Sequence, residues 1–154
     1  MGRDVVDQPD RPAGVAAFVD RAAIREALVA YLSAVQHHDW ERVEEAFAPR
    51  ATLDYGTPGV TSVADNIRLL RAGVDRFVAR STLIGMHVVV TVDGDTAQSR
   101  SSAFTAHTSA VGPTVPTRMS VVVYADQWMR CTDGRWRITD RVVHHDLKGW
   151  LQLR

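Results

Sequence analysis

Residues 83–107 read LIGMHVVVTVDGDTAQSRSSAFTAH, and this stretch decides the fold class. Leu83 to Val92 is rich in β-branched residues, Asp93-Gly94 is a two-residue hairpin signal, and Ala97 to His107 forms the returning strand. Gly112, Pro113 and Pro116 make the segment from Thr108 to Pro116 a loop. Arg118 to Arg130 then reads as a strand, Asp133-Gly134 as a second hairpin signal, and Arg135 to Asp146 as the last strand. Upstream, the period changes to that of helices. Ile24, Leu28, Tyr31, Leu32 and Val35 mark a first helix with Asp20 as its candidate cap. Asp39 caps a short second helix carrying Trp40, Val43 and Phe47, which Pro49 stops. Ala51 to Tyr55 is a short strand, and Gly56-Thr57-Pro58-Gly59 a turn. Thr61 or Ser62 opens a third helix with Ile67, Leu70, Val74, Phe77 and Val78 on one face, although Gly73 lies within it. Helices followed by an antiparallel meander give an α+β layout, a curved sheet closing over helices.

The chain of 154 residues is 45% hydrophobic, enough for one core and short for two domains. Residues 1–17, with two prolines, two glycines and Asp4, Asp7 and Asp10, read as a flexible arm, and 18–154 as a single domain. The arm has no apolar core of a signal peptide. Eighteen basic residues balance eighteen acidic ones, which is not the footprint of a general nucleic-acid binder. No apolar run is long enough to span a membrane. One cysteine, Cys131, excludes an intrachain disulfide and a CxxC site. Six histidines carry no metal-ligand spacing, and neither GxGxxG nor a P-loop is present, so no metal and no cofactor is expected. The expectation is a soluble, cytoplasmic protein.

The stretches HHDWERVEEAFAPRATLDYG (37–56), VDGDTAQSRS (92–101) and DGRWRITDRVV (133–143), in this order, resemble the SnoaL-like group of the NTF2-like superfamily. The resemblance covers residues 18 to 148. It implies a cone-shaped α+β fold: three N-terminal helices packed in a curved, mainly antiparallel sheet, with a pocket between them. Scytalone dehydratases, ketosteroid isomerases and polyketide cyclases share this fold, as do epoxide hydrolases and plain binding domains, so the fold alone does not fix the chemistry. The resemblance also implies homodimers or homotrimers formed through the outer sheet face, which Tyr124 and Trp128 fit.

His107 aligns with a pocket histidine of the dehydratases and is the first candidate for moving a proton. Tyr55 aligns with a tyrosine aimed at substrate and would steady an oxyanion. Strand alternation sets Asp140 with Trp136, Ile138, Val142 and His144 on an inward face, and Arg135, Arg137, Thr139 and Arg141 on a solvent face. A carboxylate there would be a second base or would orient a histidine. His87, Tyr31, Asp54, an inward His144, Leu83 and Trp40 complete the candidate substrate-binding set. His87 shares a face with Leu83 roughly 13 Å away, at the pocket's other end. On the strand from Arg118, the set Val121, Val123, Ala125, Gln127 and Met129 reads as inward, leaving Asp126 to structure or interface. His37 and His38 read as exposed, and Trp150 and Leu151 as a cap on the pocket.

Departures from the dehydratase pattern matter. Val35-Gln36 stands where dehydratases carry Tyr-Asp, Leu83 where they carry a second histidine, and Val123 and Ala125 where they carry Ser and Asn. Three functions compete. The first is a cofactor-independent lyase or isomerase acting by proton transfer (dehydration, isomerisation or cyclisation) on a small, apolar, oxygenated molecule of polyketide or steroid type. The second is a non-catalytic domain binding a small ligand. The third is an epoxide hydrolase, which requires an arginine between two carboxylates. A catalytic pocket is expected to bring His107 within hydrogen-bond reach of a carboxylate or tyrosine.

Overall fold

A computed structural model describes residues 13–56, 59–112 and 115–152. The order is α1 (Ala13–His37), α2 (Trp40–Glu45), β1 (Phe47–Asp54), β2 (Val60–Ser62), α3 (Val63–Phe77), β3 (Val78–Asp93), β4 (Thr96–Ser109), β5 (Thr117–Arg130) and β6 (Trp136–Leu151). The six strands form one sheet in the order β2-β1-β6-β5-β4-β3. Only the β1–β6 pair is parallel, so the expected mainly antiparallel α+β architecture holds. Both Asp-Gly signals are hairpin turns, with Gly94 at φ +58 and Gly134 at φ +78, values that a side chain disfavours.

Several local expectations shift. Helix α1 starts at Ala13, inside the arm expected over 1–17, because the alanine-rich run after Pro12 favours helix; residues 1–12 lie outside the described ones. Asp20 is therefore not a cap. It sits within α1 and accepts from Arg130 Nη2 at 2.7 Å and Trp136 Nε1 at 3.3 Å, tying the helix to the hairpin ends of β5 and β6. Helix α2 ends before Pro49, which lies in β1 where the pairing to β6 is interrupted. Asp39 and Ser62 are N-caps whose side chains accept from Arg42 N and Asp65 N.

Ile24, Leu28, Tyr31 and Ala34 of α1 are nearly solvent-free and form its inward stripe. They meet Val43, Phe47, Leu53, Trp128, Trp136 and Ile138, which fill the hairpin end of the cone. Each fully buried side chain of this kind contributes about 1.5–3 kcal/mol. Gly85 of β3 lets α1 approach closely: a Cβ there would meet Leu32 Cδ1 at 3.1 Å.

Bulges decide which residues enter the cone. On β6, Ile138 pairs with Trp128 and Asp140 with Gln127, leaving Thr139 as an extra residue. One extra residue reverses the alternation beyond it. Trp136 and Ile138 point inward, and after the bulge Arg141, Val143 and His145 do so instead. Asp140, Val142 and His144, all expected inside, are exposed. A second extra residue, Met86, separates the Gly85–Ala103 pair from the His87–Ser102 pair on β3.

Strand β5 also presents the face opposite to that expected. Ser120, Val122, Tyr124, Asp126 and Trp128 are buried inside, and Val121, Val123, Ala125, Gln127 and Met129 lie on the convex side. Both faces of β5 are apolar, so a count of apolar residues could not choose between them. Tyr124 and Trp128 are 6% and 2% exposed, which removes them from any outer interface.

Candidate functional site

The inward face of β5 reads as a section through the cone. From Arg130 toward Thr117 it passes Trp128, Asp126, Tyr124, Val122, Ser120 and Arg118: core, ion pair, phenol, cavity wall and open rim. The cavity holds about 600 Å³, in the range of small-molecule sites. It is bounded by α3, the inward ends of β3 to β6, and the loop carrying Val111, Val115 and Pro116.

Below its floor lies a charge pair. Arg141 Nε and Nη2 donate to the two Asp126 oxygens at 2.7 and 2.9 Å, and neither side chain touches solvent. The guanidinium carbon lies 4.2 Å from the Tyr31 ring centre, 4.5 Å from that of Tyr124 and 5.4 Å from that of Phe47. Ring faces attract a desolvated cation, and Arg141 Nη1 has no hydrogen-bond partner among the described residues. Burial alone would lower the Arg141 pKa, but Asp126, with Tyr31 and Tyr55, outweighs it and holds the group charged. Arg141 and Asp126 themselves do not line the cavity.

Three phenols cover this pair. Tyr31 Oη and Tyr55 Oη lie 3.4 Å apart, and the Tyr31 ring meets Tyr124 edge to face at 6.0 Å. Burial pushes the Tyr55 hydroxyl well above its ordinary value, with Tyr31 and Tyr124 adding to the effect. Burial likewise raises Tyr124. The floor therefore offers neutral O–H groups that donate.

The β3–β4 wall carries a different constellation. Ser81, only 5% exposed, lies 3.1 Å from His38 Nε2 and 3.0 Å from His107 Nδ1. A hydroxyl has one proton to give and lone pairs to receive. When Ser81 gives its proton to His38, it receives one from His107 Nδ1–H, and His107 Nε2 is left as a base. Reversing both bonds makes Nε2 a donor. Burial, Arg118 and His38 lower the His107 pKa, in that order, so its ring stays neutral below the usual imidazole range.

His38 reaches Ser81 because the chain turns there. Asp39 N bonds Ala34 O at 2.9 Å and His38 N bonds Val35 O at 3.2 Å, the paired closure that ends a helix with a left-handed residue. That residue is His38, at φ +57, where glycine is the usual occupant. Its ring stacks on Trp40, 5.8 Å between centres and 7° between planes.

Of the residues singled out in the sequence, His107, Tyr55, Tyr31, Leu83 and Trp40 line the cavity, and so does Trp150, expected as a cap. Asp140 does not: it is exposed and accepts from Thr52 Oγ1 beside β1. His144 is exposed while His145 faces in, both consequences of the Thr139 bulge. His87 is exposed beside a separate recess of about 130 Å³, displaced by the Met86 bulge. Asp54 closes a turn by accepting from Gly56 N at 2.7 Å.

His107 meets neither carboxylate nor tyrosine; its partner is Ser81. Gln36 and Leu83, two of the departures from the dehydratase pattern, meet each other: Leu83 N donates to Gln36 Oε1 at 2.9 Å. Val123 and Ala125 lie on the convex side.

The reading of sequence alone missed Arg141, Asp126, Tyr124, Ser81, His38 and His145. A signal existed for two of them. Asp126 sits between Tyr124 and Trp128 and, if buried, demands a cation. His38 occupies the place of a helix-ending glycine. Among the described residues no three His, Cys, Asp or Glu side chains are grouped to hold one metal ion, and no helix is long and apolar enough to cross a membrane.

Comparison with known proteins agrees with this architecture. A family model described as "SnoaL-like domain" matches residues 16–142. An uncharacterised protein of Mycobacterium tuberculosis (strain H37Rv) is 32% identical over 130 residues, covering 83% of this chain and 86% of that protein. A putative scytalone dehydratase from Novosphingobium aromaticivorans superimposes with a TM-score of 0.77 at 17% identity, covering 89% of this chain and 91% of the other. The hexachlorocyclohexane dehydrochlorinase LinA-type3 from Novosphingobium barchaimii gives 0.78 at 16% identity, covering 90% and 94%. At these identities the likeness to the solved structures is one of fold.

Proposed function

The chain belongs to the SnoaL-like family, and on that footing we propose that it is a cofactor-independent enzyme that moves a proton on an apolar, oxygenated small molecule of polyketide or steroid type. The observation that carries this reading is the His38–Ser81–His107 chain on the wall of a cavity whose floor is made of neutral phenols. His107 Nε2 removes a proton from carbon. Its Nδ1–H is held by Ser81, which fixes the tautomer, and the resulting imidazolium passes charge toward His38. Tyr55, backed by Tyr31, donates to the oxygen that gains charge. His107 on the wall and Tyr55 on the floor line one cavity, an arrangement that suits a fused-ring or conjugated substrate, in which charge released at one carbon reaches a distant oxygen. Dehydration, isomerisation and cyclisation all begin with that step; the proton held on His107 then leaves with the departing hydroxide as water, returns to another carbon, or goes to the new alkoxide.

The epoxide-hydrolase reading is weaker. It needs an arginine between two carboxylates in the pocket, whereas Arg141 pairs with Asp126 alone and does not line the cavity. Non-catalytic binding is the second reading, favoured by the absence of a carboxylate on His107. We also propose a homodimer or homotrimer formed through the convex sheet face, where Ile84, Val89 and Leu147 are 55%, 51% and 62% exposed.

The experiment is a thermal-shift screen of polycyclic polyketides, steroids and terpenoid epoxides on wild type and His107→Ala, followed by mass spectrometry. A shift in both proteins with product in wild type alone makes His107 the proton carrier, with a loss of about 10²–10⁴-fold in the variant. A shift in both with product in neither leaves a binding domain. Product in both sinks the role of His107.

A further inference from the structure

The cavity's polar lining is one-sided in charge. Its lining includes Arg118, His107 and His145 and no aspartate or glutamate among the described residues. The sheet register explains how the basic groups gather. On the concave face Arg118 of β5 lies opposite Trp150 of β6, Ser120 opposite Lys148, and Val122 opposite His145. Asp146 is the extra residue of a bulge between the Val122–His145 and Val121–Leu147 pairs, so His145 and Lys148 follow one another on the inward side. Diagonal neighbours across such a pair have Cα atoms about 7–8 Å apart, within reach of long side chains. No carboxylate of the described residues lies within salt-bridge distance of Arg118 or Lys148; each of the seven ion pairs found involves other residues.

His145 faces these cations with its Nδ1 buried and without a hydrogen-bond partner among the described residues. Burial lowers the His145 pKa, and Lys148 and Arg118 lower it further. Arg118 likewise disfavours the charged form of His107 on the adjoining strand. Like charges thus converge on one rim of an apolar cavity, with no carboxylate of the described residues paired to them.

We propose that Arg118, Lys148 and His145 form an anion subsite that takes a carboxylate of the ligand, so that the molecule bound is an apolar ring system carrying an acid group at the open rim. This rests on the reading of the cavity as a ligand site and names the substrate class more closely. A carboxylate fits better than a phosphate ester. One guanidinium fork, one ammonium and one imidazole match a single planar anion. The exposed Trp150, directly opposite Arg118, supplies a flat wall beside the acid group. Arg118 is the direct cross-strand neighbour of His107, so the anchored acid lies beside the His38–Ser81–His107 chain and fixes the position of the ring system against it.

The test uses anthracene-2-carboxylate, its neutral carboxamide and anthracene-2-methyl phosphate, titrated calorimetrically into wild type and an Arg118→Gln/Lys148→Gln double variant. Both replaced side chains are exposed, so the fold should be retained, and an unchanged melting temperature verifies this. Wild type should prefer the acid over the amide by roughly ten- to hundredfold. The preference should shrink toward unity in the double variant and in about 1 M salt, where screening reaches a few ångströms. The His145 ring should titrate at higher pH with the acid bound and not with the amide, because a nearby anion favours its charged form. Equal binding of acid and amide, or a preference that survives the double substitution, overturns the subsite and leaves the ligand cavity standing. Phosphate bound more tightly than carboxylate overturns the assignment of the acid group. Absence of binding by all three probes overturns both the subsite and the cavity reading on which it rests.

Discussion

Beneath the floor of the cavity Arg141 and Asp126 share two hydrogen bonds of 2.7 and 2.9 Å with no solvent contact, whereas on its wall His38, Ser81 and His107 are joined by single bonds of 3.1 and 3.0 Å. The floor is a closed account of charge: one cation, one anion and aromatic faces around them. The wall is open, since the bonds at Ser81 can run in either direction. A fixed pair holds geometry, and a reversible chain moves protons. One molecule uses both, and substitutions should separate them.

The largest effect is expected at the floor. Asp126→Ala leaves the Arg141 charge buried and unpaired, which should cost about 3–5 kcal/mol and lower the melting temperature by of order 10 °C. Replacing both partners together, as Asp126→Leu with Arg141→Met, should recover most of that loss, because no charge then remains to solvate. Urea unfolding of the three proteins measures this. A single variant as stable as wild type would break the comparison, since the floor would then hold nothing in place.

The wall should respond in the opposite sense, losing function before stability. His38→Gly removes a side chain from a backbone at φ +57, relieving about 1 kcal/mol of strain, and gives up a hydrogen bond to Ser81 worth about as much. Its stability should stay within about 1 kcal/mol of wild type. Ser81→Ala should cost about 1–2 kcal/mol through two lost bonds. In both variants the ¹⁵N shifts of the His107 ring should change as its tautomer is released, and turnover should fall by about tenfold. Ser81→Thr, which keeps the hydroxyl, should restore them. Unmoved ring shifts in Ser81→Ala would show that the chain carries no coupling.

How much of this contrast was legible beforehand follows from the same physics. The fold was readable because hairpin turns and helix stripes are local: Asp93-Gly94, Asp133-Gly134 and the run from Ile24 to Val35 announce themselves within a few residues. The wall was half readable. His107 was found, as were Tyr55 and Tyr31 of the floor, but Ser81 becomes polar machinery only when β3 pairs with β4 and α1 ends against it. The floor was unreadable by alternation, because one unpaired residue at Thr139 exchanges the two faces of β6. Nothing in Ile138-Thr139-Asp140-Arg141 fixes where such a bulge falls; the partner strand does.

The pH response sharpens the wall further. His107 and His145 titrate below their ordinary value near 6.5, held down first by burial and then by neighbouring cations. In the unfolded chain each takes up its proton near that value, while the folded protein resists until lower pH. Their contribution to stability is therefore complete above the ordinary value and is lost as pH falls from there toward the folded pKa values. Melting temperatures should decline over that window, and the acid limb of any turnover profile should lie below the ordinary imidazole range. Arg118→Gln should move the His107 titration, followed by NMR, back upward. An unshifted His107 would remove Arg118 from its surroundings.

The smallest expected effect is the most pointed about the sequence. Asp140→Asn alters the carboxylate that strict alternation places inside the cone. Beyond the Thr139 bulge that residue instead faces solvent, accepting a hydrogen bond from Thr52 Oγ1 of β1. An exposed carboxylate that becomes an amide keeps an acceptor for Thr52, so the change in stability should remain within about 0.5 kcal/mol, and ligand binding and turnover should not move. Arg141, the next residue, should be intolerant of any substitution that keeps Asp126. Two adjacent positions on one strand would then differ by several kcal/mol in the direction opposite to the one that alternation from Trp136 assigns. A strong effect of Asp140→Asn on turnover would place that carboxylate back in the chemistry and the bulge in a different position.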